Sequence, residues 1–267
     1  MTDHGGRPTS KRRLLRAPLL RRDCIGSRYH VLAFDAEETI VARPGQFAMV
    51  RGVDWGKSPL WPRPMSLLEA DRRPTIVVKV VGEGTERMAN AMPGAAFDLL
   101  LPLGNGWSAC PDAVTPVLVA GGVGIAPLLF LARELSARQI RPLTLYGGRS
   151  RHDLPLDDAV CRTSDARLVT EDGSQGTRGV VTDLLEPTLR ELGLRAKVYT
   201  CGPDRMMAKV ARICEQLDVA CEASLEAPMA CGYGVCLGCP VETVSAGYLH
   251  TCVDGPCVDA RIVAWQR

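Results

Sequence analysis

The pattern of apolar and polar positions changes near Pro111 and divides the chain into unlike parts. In the first part, short apolar runs rich in β-branched residues are separated by turn-forming pairs such as Pro44-Gly45 and Pro93-Gly94. This spacing of strands and turns is typical of a small antiparallel barrel. We therefore predict a barrel of five or six strands, with segments at 28–35, 46–51, 64–69, 75–81 and 96–101.

Beyond Pro111, apolar runs of strand type alternate with segments of helical periodicity. The expected strands are 116–120, 143–146, 167–170 and 197–201, and the expected helices are 126–138, 180–192 and 204–217. This alternation predicts an α/β domain with a parallel, doubly wound sheet. From about Val219 the chain is rich in Gly and Cys, and a part of about 47 residues is too short to fold comfortably alone.

These patterns predict four successive parts of the chain. They are a basic flexible tail at 1–22, a β-barrel domain at 23–110, an α/β dinucleotide-binding domain at 111–220 and a cysteine-rich segment at 221–267. The tail contains Lys11, Arg12, Arg13, Arg16, Arg21 and Arg22, which we interpret as solvated. Its Arg-rich, nearly acid-free composition leaves a transit peptide as an alternative.

The overall charge and hydropathy exclude several classes of protein. A net charge of +2 gives no reason to expect a nucleic acid partner. No apolar run approaches the length of a membrane-spanning helix, and no apolar core of a signal peptide is present. We therefore expect a cytoplasmic protein that does not enter the membrane.

The most specific chemical signal is a cluster of cysteines. The chain has 11 cysteines, and the run Cys231-x4-Cys236-x2-Cys239 is followed after twelve residues by Cys252. This is the plant-type spacing of ligands for a 2Fe–2S cluster, and the intervening glycines permit the tight backbone that wraps such a cluster. A structural zinc site is the alternative, although zinc sites more often use paired CxxC motifs. Cys257 is an alternative fourth ligand.

Two weaker signals lie upstream. Gly121, Gly122 and Gly124 stand between a predicted strand and a predicted helix, where a pyrophosphate can approach backbone N–H groups. They lack the full GxGxxG spacing, so a simple packing turn is the alternative. The run 63–66 (RPMS) and the Gly82-x-Gly84-Thr85 turn offer a cation and a hydroxyl that could hold a flavin and its phosphates, with Lys79 as a second cation.

The order of the motifs carries more information than any one of them. RPMS, GEGT, LPLGNGW, GGVGIAPL, YTCGPDRMM and the cysteine loop follow one another from about residue 24 to the C-terminus. In this order the chain resembles the ferredoxin–NADP reductase superfamily. The closest likeness is to the electron-transfer subunits of dihydroorotate dehydrogenase B.

The resemblance implies specific roles. Residues implied for FAD are Arg63, Pro64, Met65, Ser66, Val77, Val78, Lys79, Gly84 and Thr85. Those implied for the nicotinamide dinucleotide are Gly121, Gly122, Gly124, Cys201, Gly202 and Pro203, and those for the cluster are Cys231, Cys236, Cys239 and Cys252. Lys79 stands where relatives generally carry Arg, so the charge is kept but the bidentate fork is lost. A buried, purely structural Cys201 is the alternative to its site role.

The implied activity is electron transfer between NAD and a partner protein through FAD and a 2Fe–2S cluster. The cofactors supply the chemistry, so no side chain is nominated as a catalyst. The implied partner is an FMN-containing catalytic subunit in a hetero-oligomer, which places the chain in pyrimidine biosynthesis. Arg149 and Arg151 leave NADP open as an alternative. The alternative functions are a reductase subunit of another flavin/iron–sulfur complex, of bifurcating transhydrogenase or hydrogenase type, and a redox sensor without turnover.

Overall fold

The first architectural unit is a closed antiparallel barrel. The structure, a computed structural model, describes residues 11–26 and 28–265. Within them the barrel strands are β1 (Arg13–Cys24), β2 (Tyr29–Phe34), β3 (Phe47–Gly52), β4 (Arg63–Glu69), β5 (Thr75–Lys79) and β6 (Ala96–Leu103), and helix α1 (Glu83–Asn90) follows β5. The barrel closes in the order β1-β2-β5-β4-β3-β6, and its six strands confirm the predicted antiparallel barrel.

The second unit is a mainly parallel sheet with helices on its faces. Its elements are β7 (Thr115–Gly121), α2 (Ile125–Ala137), β8 (Leu143–Gly148), α3 (Asp157–Thr163), β9 (Asp165–Thr170), β10 (Thr177–Arg178), α4 (Val181–Leu192), β11 (Ala196–Cys201), α5 (Asp204–Gln216) and β12 (Ala220–Ser224). Strands β7 to β12 pair in parallel in the order β10-β9-β8-β7-β11-β12. The doubly wound α/β prediction is confirmed.

The cysteine-rich segment is built into the second unit. It contains β13 (Pro240–Glu242), β14 (Tyr248–His250) and β15 (Cys257–Asp259). Strands β13 and β14 form a separate hairpin, but β15 pairs antiparallel with β12 and completes the sheet at that edge. Leu249, Val258 and Val263 also pack into the core under the sheet. The cysteine-rich segment, which is too short to fold comfortably alone, is therefore stabilised by packing on the parallel sheet.

The predicted basic tail is wrong from Arg13 onward, because these residues form strand β1. Residues 1–10 lie outside the described part of the chain. The strand alternates, with Ala17 and Leu19 buried in the barrel core and the arginines on the outer face. Arg16 bonds Asp98 of β6 at 2.9 Å, so the basic residues are paired along the outside of the barrel. The density of arginines concealed the strand pattern.

Two helices, α1 and α3, and five strands besides β1 (β10, β12, β13, β14 and β15) were absent from the predictions. The GEGT motif was interpreted as a turn, whereas Glu83, Gly84 and Thr85 form the first turn of α1. Helix α3 has only seven residues, and β12 and β15 have five and three. Short elements carry too few periods of a hydrophobic pattern to be identified. No helix in the described ranges is long and apolar enough to cross a membrane.

The barrel and the sheet share an apolar core that contains Leu68 of β4 and the inner face of α2, and several polar contacts also join them. Arg133 of α2 donates to the carbonyl of Leu68 in β4 at 3.3 Å. Glu222 of β12 accepts from the backbone N–H of Ser108 at 3.0 Å. The side chain of Asn105 bonds backbone groups of Asp254 and Cys257, which joins the end of the barrel to the cysteine-rich segment.

Replacement of Leu19 by alanine tests the assignment of β1. Leu19 is 1% exposed in the barrel core, whereas its neighbour Leu20 is 41% exposed. We expect Leu19→Ala to lower the free energy of unfolding by about 2–5 kcal/mol because it leaves a cavity. The matched variant Leu20→Ala should change it by no more than about 0.5 kcal/mol. Urea unfolding measures both free energies. Equally small effects of the two replacements would favour a flexible tail over strand β1.

Candidate functional site

A cleft of about 1000 Å³ lies between the barrel and the sheet. This volume is at the upper end of the range for ligand sites, as a pair of dinucleotides would need. Strands β4 and β5 form one wall, and the carboxyl ends of β7 and β11 form another. All but three of the predicted cofactor-binding residues line it: Pro64, Met65, Ser66, Val77, Lys79, Thr85, Gly121, Gly122, Gly124, Cys201, Gly202 and Pro203.

Arg63, Val78 and Gly84 do not line the cleft. Val78 is fully buried in the barrel core, because β5 alternates and turns Val77 and Lys79 toward the cleft. Arg63 packs on Gly84, where an added Cβ would lie 2.6 Å from the guanidinium Nε. The Arg63 charge therefore stands at the first turn of α1, whose free backbone N–H groups also favour an anion.

The hydroxyl of Thr85 is occupied within its own turn. It accepts from the backbone N–H groups of Val81 and Gly82 at 2.9 and 3.1 Å, and it lies 2.8 Å from the Gly82 carbonyl. The resemblance implied that Thr85 holds a pyrophosphate directly. The contacts also give its side chain a structural part, which is to fix the backbone that enters α1.

The glycines after β7 are required by close packing as well as by any ligand. A Cβ on Gly124 would lie 2.4 Å from the carbonyl oxygen of Cys201, and one on Gly121 would lie 2.7 Å from Sδ of Met206. Gly122 has φ +54°, a left-handed conformation that favours glycine. The packing and ligand interpretations of this run are therefore compatible, because the same glycines bring β7 and β11 together at the floor of the cleft.

Cys201 lies at that floor and stays protonated. Its side chain is 2% exposed, and burial raises the pKa of its thiol, with the carboxylate of Glu226 acting in the same direction. A protonated thiol is a poor nucleophile. Cys201 therefore offers the cleft a small, neutral surface.

The four predicted cluster ligands form two sulfur pairs. The backbone N–H of Cys236 lies 3.4 Å from Sγ of Cys231 in the exposed part of the loop. The second pair is buried, with Sγ of Cys239 and Sγ of Cys252 at 3.3 Å and each residue 2% exposed. All 11 cysteines lie in the described ranges, and none forms a disulfide.

Cys231 and Cys252, one from each pair, have opposite electrostatic environments. Burial raises the pKa of Cys231, but backbone N–H groups of Cys236 and Tyr233 outweigh it and lower the pKa to about 6. For Cys252, burial and the adjacent Cys239 thiol raise the pKa to about 12. N–H donors thus prepare Cys231 for thiolate charge, whereas Cys252 needs a nearby cation to lose its proton.

This donor set fits a two-iron cluster. Each sulfur pair can bind one iron, and the N–H groups at Cys231 can donate to sulfur. A tetrahedral zinc site instead needs four donors around one ion. Among residues 11–26 and 28–265, no set of three or more Cys, His, Asp or Glu side chains surrounds a single metal position.

Cys257, the alternative fourth ligand, lies away from the cluster loop. It belongs to β15, where its thiol is 3.8 Å from the Gly45 carbonyl and its backbone N–H bonds Asn105 at 3.0 Å. Cys252, by contrast, lies beside Cys239. The geometry favours Cys252 over Cys257 as the ligand.

An apolar wall separates the cleft from the buried sulfur pair. Phe47, Ala227 and Met229 line the cleft and also pack in the cluster of side chains that contains Cys239 and Cys252. Phe47 is 3% exposed. The same side chains therefore face the candidate flavin site and pack with the buried sulfurs of the candidate cluster site.

The sequence-based list missed much of the cleft. Residues 224–229, just beyond β12, line it together with Asp153 and Glu171. Ligands of α/β sheets bind at the carboxyl ends of parallel strands, so β12 would have pointed to residues 224–229 had it been identified. Asp153 had no signal of its own, because it follows β8 in an ordinary polar turn.

Two family models match the chain. One is described as the iron–sulfur cluster binding domain of dihydroorotate dehydrogenase B and matches residues 226–264. The other is described as an oxidoreductase NAD-binding domain and matches residues 118–212.

Curated relatives and solved structures are similar over most of the chain. The dihydroorotate dehydrogenase B (NAD(+)) electron transfer subunit of Clostridium acetobutylicum is 35% identical over 80% of this chain and 83% of its own. The same subunit of Fusobacterium nucleatum is 36% identical over 80% and 83%. A chain from the electron-bifurcating NADH-dependent reduced ferredoxin–NADP oxidoreductase structure gives a TM-score of 0.82 at 27% identity, covering 93% of this chain and 90% of that one.

Serine replacements of Cys252 and Cys257 test the ligand assignment. We expect Cys252→Ser to purify with much less iron and acid-labile sulfide per chain, because it removes half of the buried pair. Cys257→Ser should keep both near the wild-type level, since its thiol contacts Gly45 rather than the other ligands. Loss of iron in the Cys257 variant with retention in the Cys252 variant would reverse the assignment.

Proposed function

The chain belongs to the family of dihydroorotate dehydrogenase B electron transfer subunits, as its motif order predicted, and on that premise we propose how it transfers electrons. It passes electrons between a partner flavoprotein and NAD through a 2Fe–2S cluster and FAD. The partner is the FMN-containing catalytic subunit that oxidises dihydroorotate, in the cytoplasm, in pyrimidine biosynthesis. One observation carries this proposal: the cofactor cleft and the buried sulfur pair share the Phe47 wall.

Each part of the site has a distinct task. When bound, FAD converts between the two-electron chemistry of a nicotinamide and the one-electron chemistry of the cluster. Residues 64–66 and Val77 hold the flavin against the barrel, and Arg63 with the start of α1 receives its phosphates. The glycine run and Cys201 have small side chains or none, which leaves room at the opposite wall for a nicotinamide to stack on the flavin. Cys231, Cys236, Cys239 and Cys252 hold the cluster.

The wall keeps water from the inner side of the cluster loop while the outer side stays accessible. Cys239 and Cys252 are buried behind Phe47, whereas Cys236 is exposed. Tyr233, Val235 and Leu237 surround the exposed sulfurs and are themselves 43%, 71% and 58% exposed. An electron can therefore enter from a partner protein on one side and leave toward the cleft on the other.

We propose NAD rather than NADP because the arginine that could bind a 2′-phosphate is already paired with a carboxylate. Arg149 lines the cleft and was the candidate reader of a 2′-phosphate, but its Nε lies 3.8 Å from the carboxylate of Asp153. The neighbouring Asp153 and Glu171 carboxylates would repel a phosphate. Both features support NAD over NADP.

The subunit assignment predicts a split of activities. The purified chain should reduce an artificial dye with NADH. It should not oxidise dihydroorotate, since that substrate would bind to the catalytic subunit. Steady-state assays with both substrates measure this. The control is the same chain with the catalytic subunit added, which should oxidise dihydroorotate with NAD. Dihydroorotate oxidation by the isolated chain would refute the assignment.

Shortening Phe47 tests the wall. We expect Phe47→Ala to admit water beside Cys239 and Cys252 and so to raise the reduction potential of the cluster, because water stabilises the added negative charge. The cavity should also lower the free energy of unfolding by about 3–5 kcal/mol. A redox titration followed by EPR measures the potential. Phe47→Leu, which keeps the wall closed, should shift it less; equal potentials in all three proteins would refute the wall's role.

A further inference from the structure

Asp153 makes contacts across the cleft that none of the cofactor roles above explains. It lies in the turn after β8, on the sheet side, and its Oδ1 accepts a hydrogen bond of 2.9 Å from the hydroxyl of Tyr29 in barrel strand β2. The same oxygen is 3.8 Å from Nζ of Lys79 in barrel strand β5, and that ammonium lies 5.3 Å from the centre of the Tyr29 ring. One carboxylate thus joins two barrel strands to the sheet.

These contacts are partly shielded from water. Tyr29 is 2% exposed, and the side chains of Lys79 and Asp153 are 25% and 20% exposed. Burial, followed by the bond to Asp153, raises the pKa of Tyr29, so its hydroxyl keeps its proton and donates at neutral pH. Attraction between charges is stronger in such a site than on an open surface.

The contact set lies beside the glycine run. A Cβ on Gly122 would be 3.8 Å from both the carbonyl of Asp153 and the hydroxyl of Tyr29. The hydroxyl of Tyr146 lies 3.1 Å from the Gly122 carbonyl and 2.8 Å from the Pro155 carbonyl, so the turn that carries Asp153 is joined to the run. A shift of Asp153 relative to the barrel would therefore shift the floor on which a dinucleotide rests.

Helix α2 also joins this half of the sheet to the barrel, because its apolar side chains pack in one core with Val31 and Leu68 of the barrel. Arg133 bonds Leu68, and Arg133 lies eight residues beyond the start of α2 at Ile125. Eight helical residues span about 12 Å. Apolar packing along α2 is non-directional, whereas the hydrogen bond of Asp153 is directional and lies at the cleft itself, where it can fix the width of the cleft.

We propose that Asp153 is a positioning residue, which holds the dinucleotide-binding sheet at a fixed distance from the barrel through Tyr29 and Lys79 and so sets the stacking of nicotinamide on flavin. This inference rests on the proposed function. Lys79 then has a second task besides its implied flavin contact: it neutralises Asp153. The residue acts through the position of the sheet and contacts no reacting atom.

The test compares Asp153→Ala, Tyr29→Phe and the double variant, with Asp165→Asn as the matched control. Asp165 is an acidic residue of the same sheet whose ion pair with Arg141 is exposed and distant from the cleft. Three quantities are measured: kcat for NADH-dependent dye reduction, the Kd of FAD for the FAD-free chain, and the long-wavelength absorbance of stacked NADH and flavin. The free energy of unfolding of the FAD-free chain is measured for the same four proteins.

We expect Asp153→Ala to lower kcat by about 10- to 100-fold, since a misplacement of about 1 Å can cost about 100-fold. The stacking absorbance should fall with it. FAD should bind at least as tightly as in the wild type, because Lys79 loses a competing anion. In both kcat and unfolding, Tyr29→Phe should add nothing in the Asp153→Ala background, because the bond it removes is already gone.

Three results would overturn the proposal. They are a kcat for Asp153→Ala equal to that of the Asp165→Asn control, a loss of kcat that excess FAD restores, and fully additive effects of the two replacements. Failure of the proposed function would give a different result. A wild-type chain that does not reduce the dye with NADH would refute that function, whereas the double-mutant cycle measured by unfolding would still be interpretable. That cycle tests the contact between Asp153 and Tyr29 by itself.

Discussion

The contact between the cysteine loop and barrel strand β3 is the constraint on which the relay depends. Gly232 lies so close to the barrel that an added Cβ would be 2.4 Å from Cγ of Met49, and its φ of +79° is itself unfavourable for other residues. This approach brings Cys239 and Cys252 into the same apolar cluster as Phe47. A larger residue at Gly232 would push the loop away from Met49 and so move the ligand pair away from the cleft.

Close packing at glycines also shapes the sheet at the floor of the cleft. The end of β7 approaches the end of β11 at Gly124 and Gly121, and this approach forms the floor of the cleft. A phosphate-binding turn and a tight packing turn place the same demand on the chain, namely the absence of a Cβ. For that reason the glycine motif could be identified from the sequence, while its two physical causes became separable only in three dimensions.

Local patterns and motif order predicted the barrel, the parallel sheet and the set of residues around the cleft. They failed where the hydrophobic pattern of an element was masked by charged residues or was too short to recognise. In β1 the alternation of Leu15, Ala17 and Leu19 is hidden among arginines, and the seven residues of α3 and three of β15 are too few to show a period. Asp153 could not be predicted at all, since its significance comes from Tyr29, which is 124 positions away in the chain.

The antiparallel addition of β15 to β12 has a consequence for biosynthesis. Until residues 257–259 arrive, β12 is the outermost strand and presents unpaired backbone groups, which is the kind of edge that recruits other chains. Because β15 lies beyond the cysteine loop in the sequence, the edge is covered only after all four ligands have been translated. Loss of the last strand by proteolysis or premature termination would therefore give an aggregation-prone sheet as well as a protein without its metal centre.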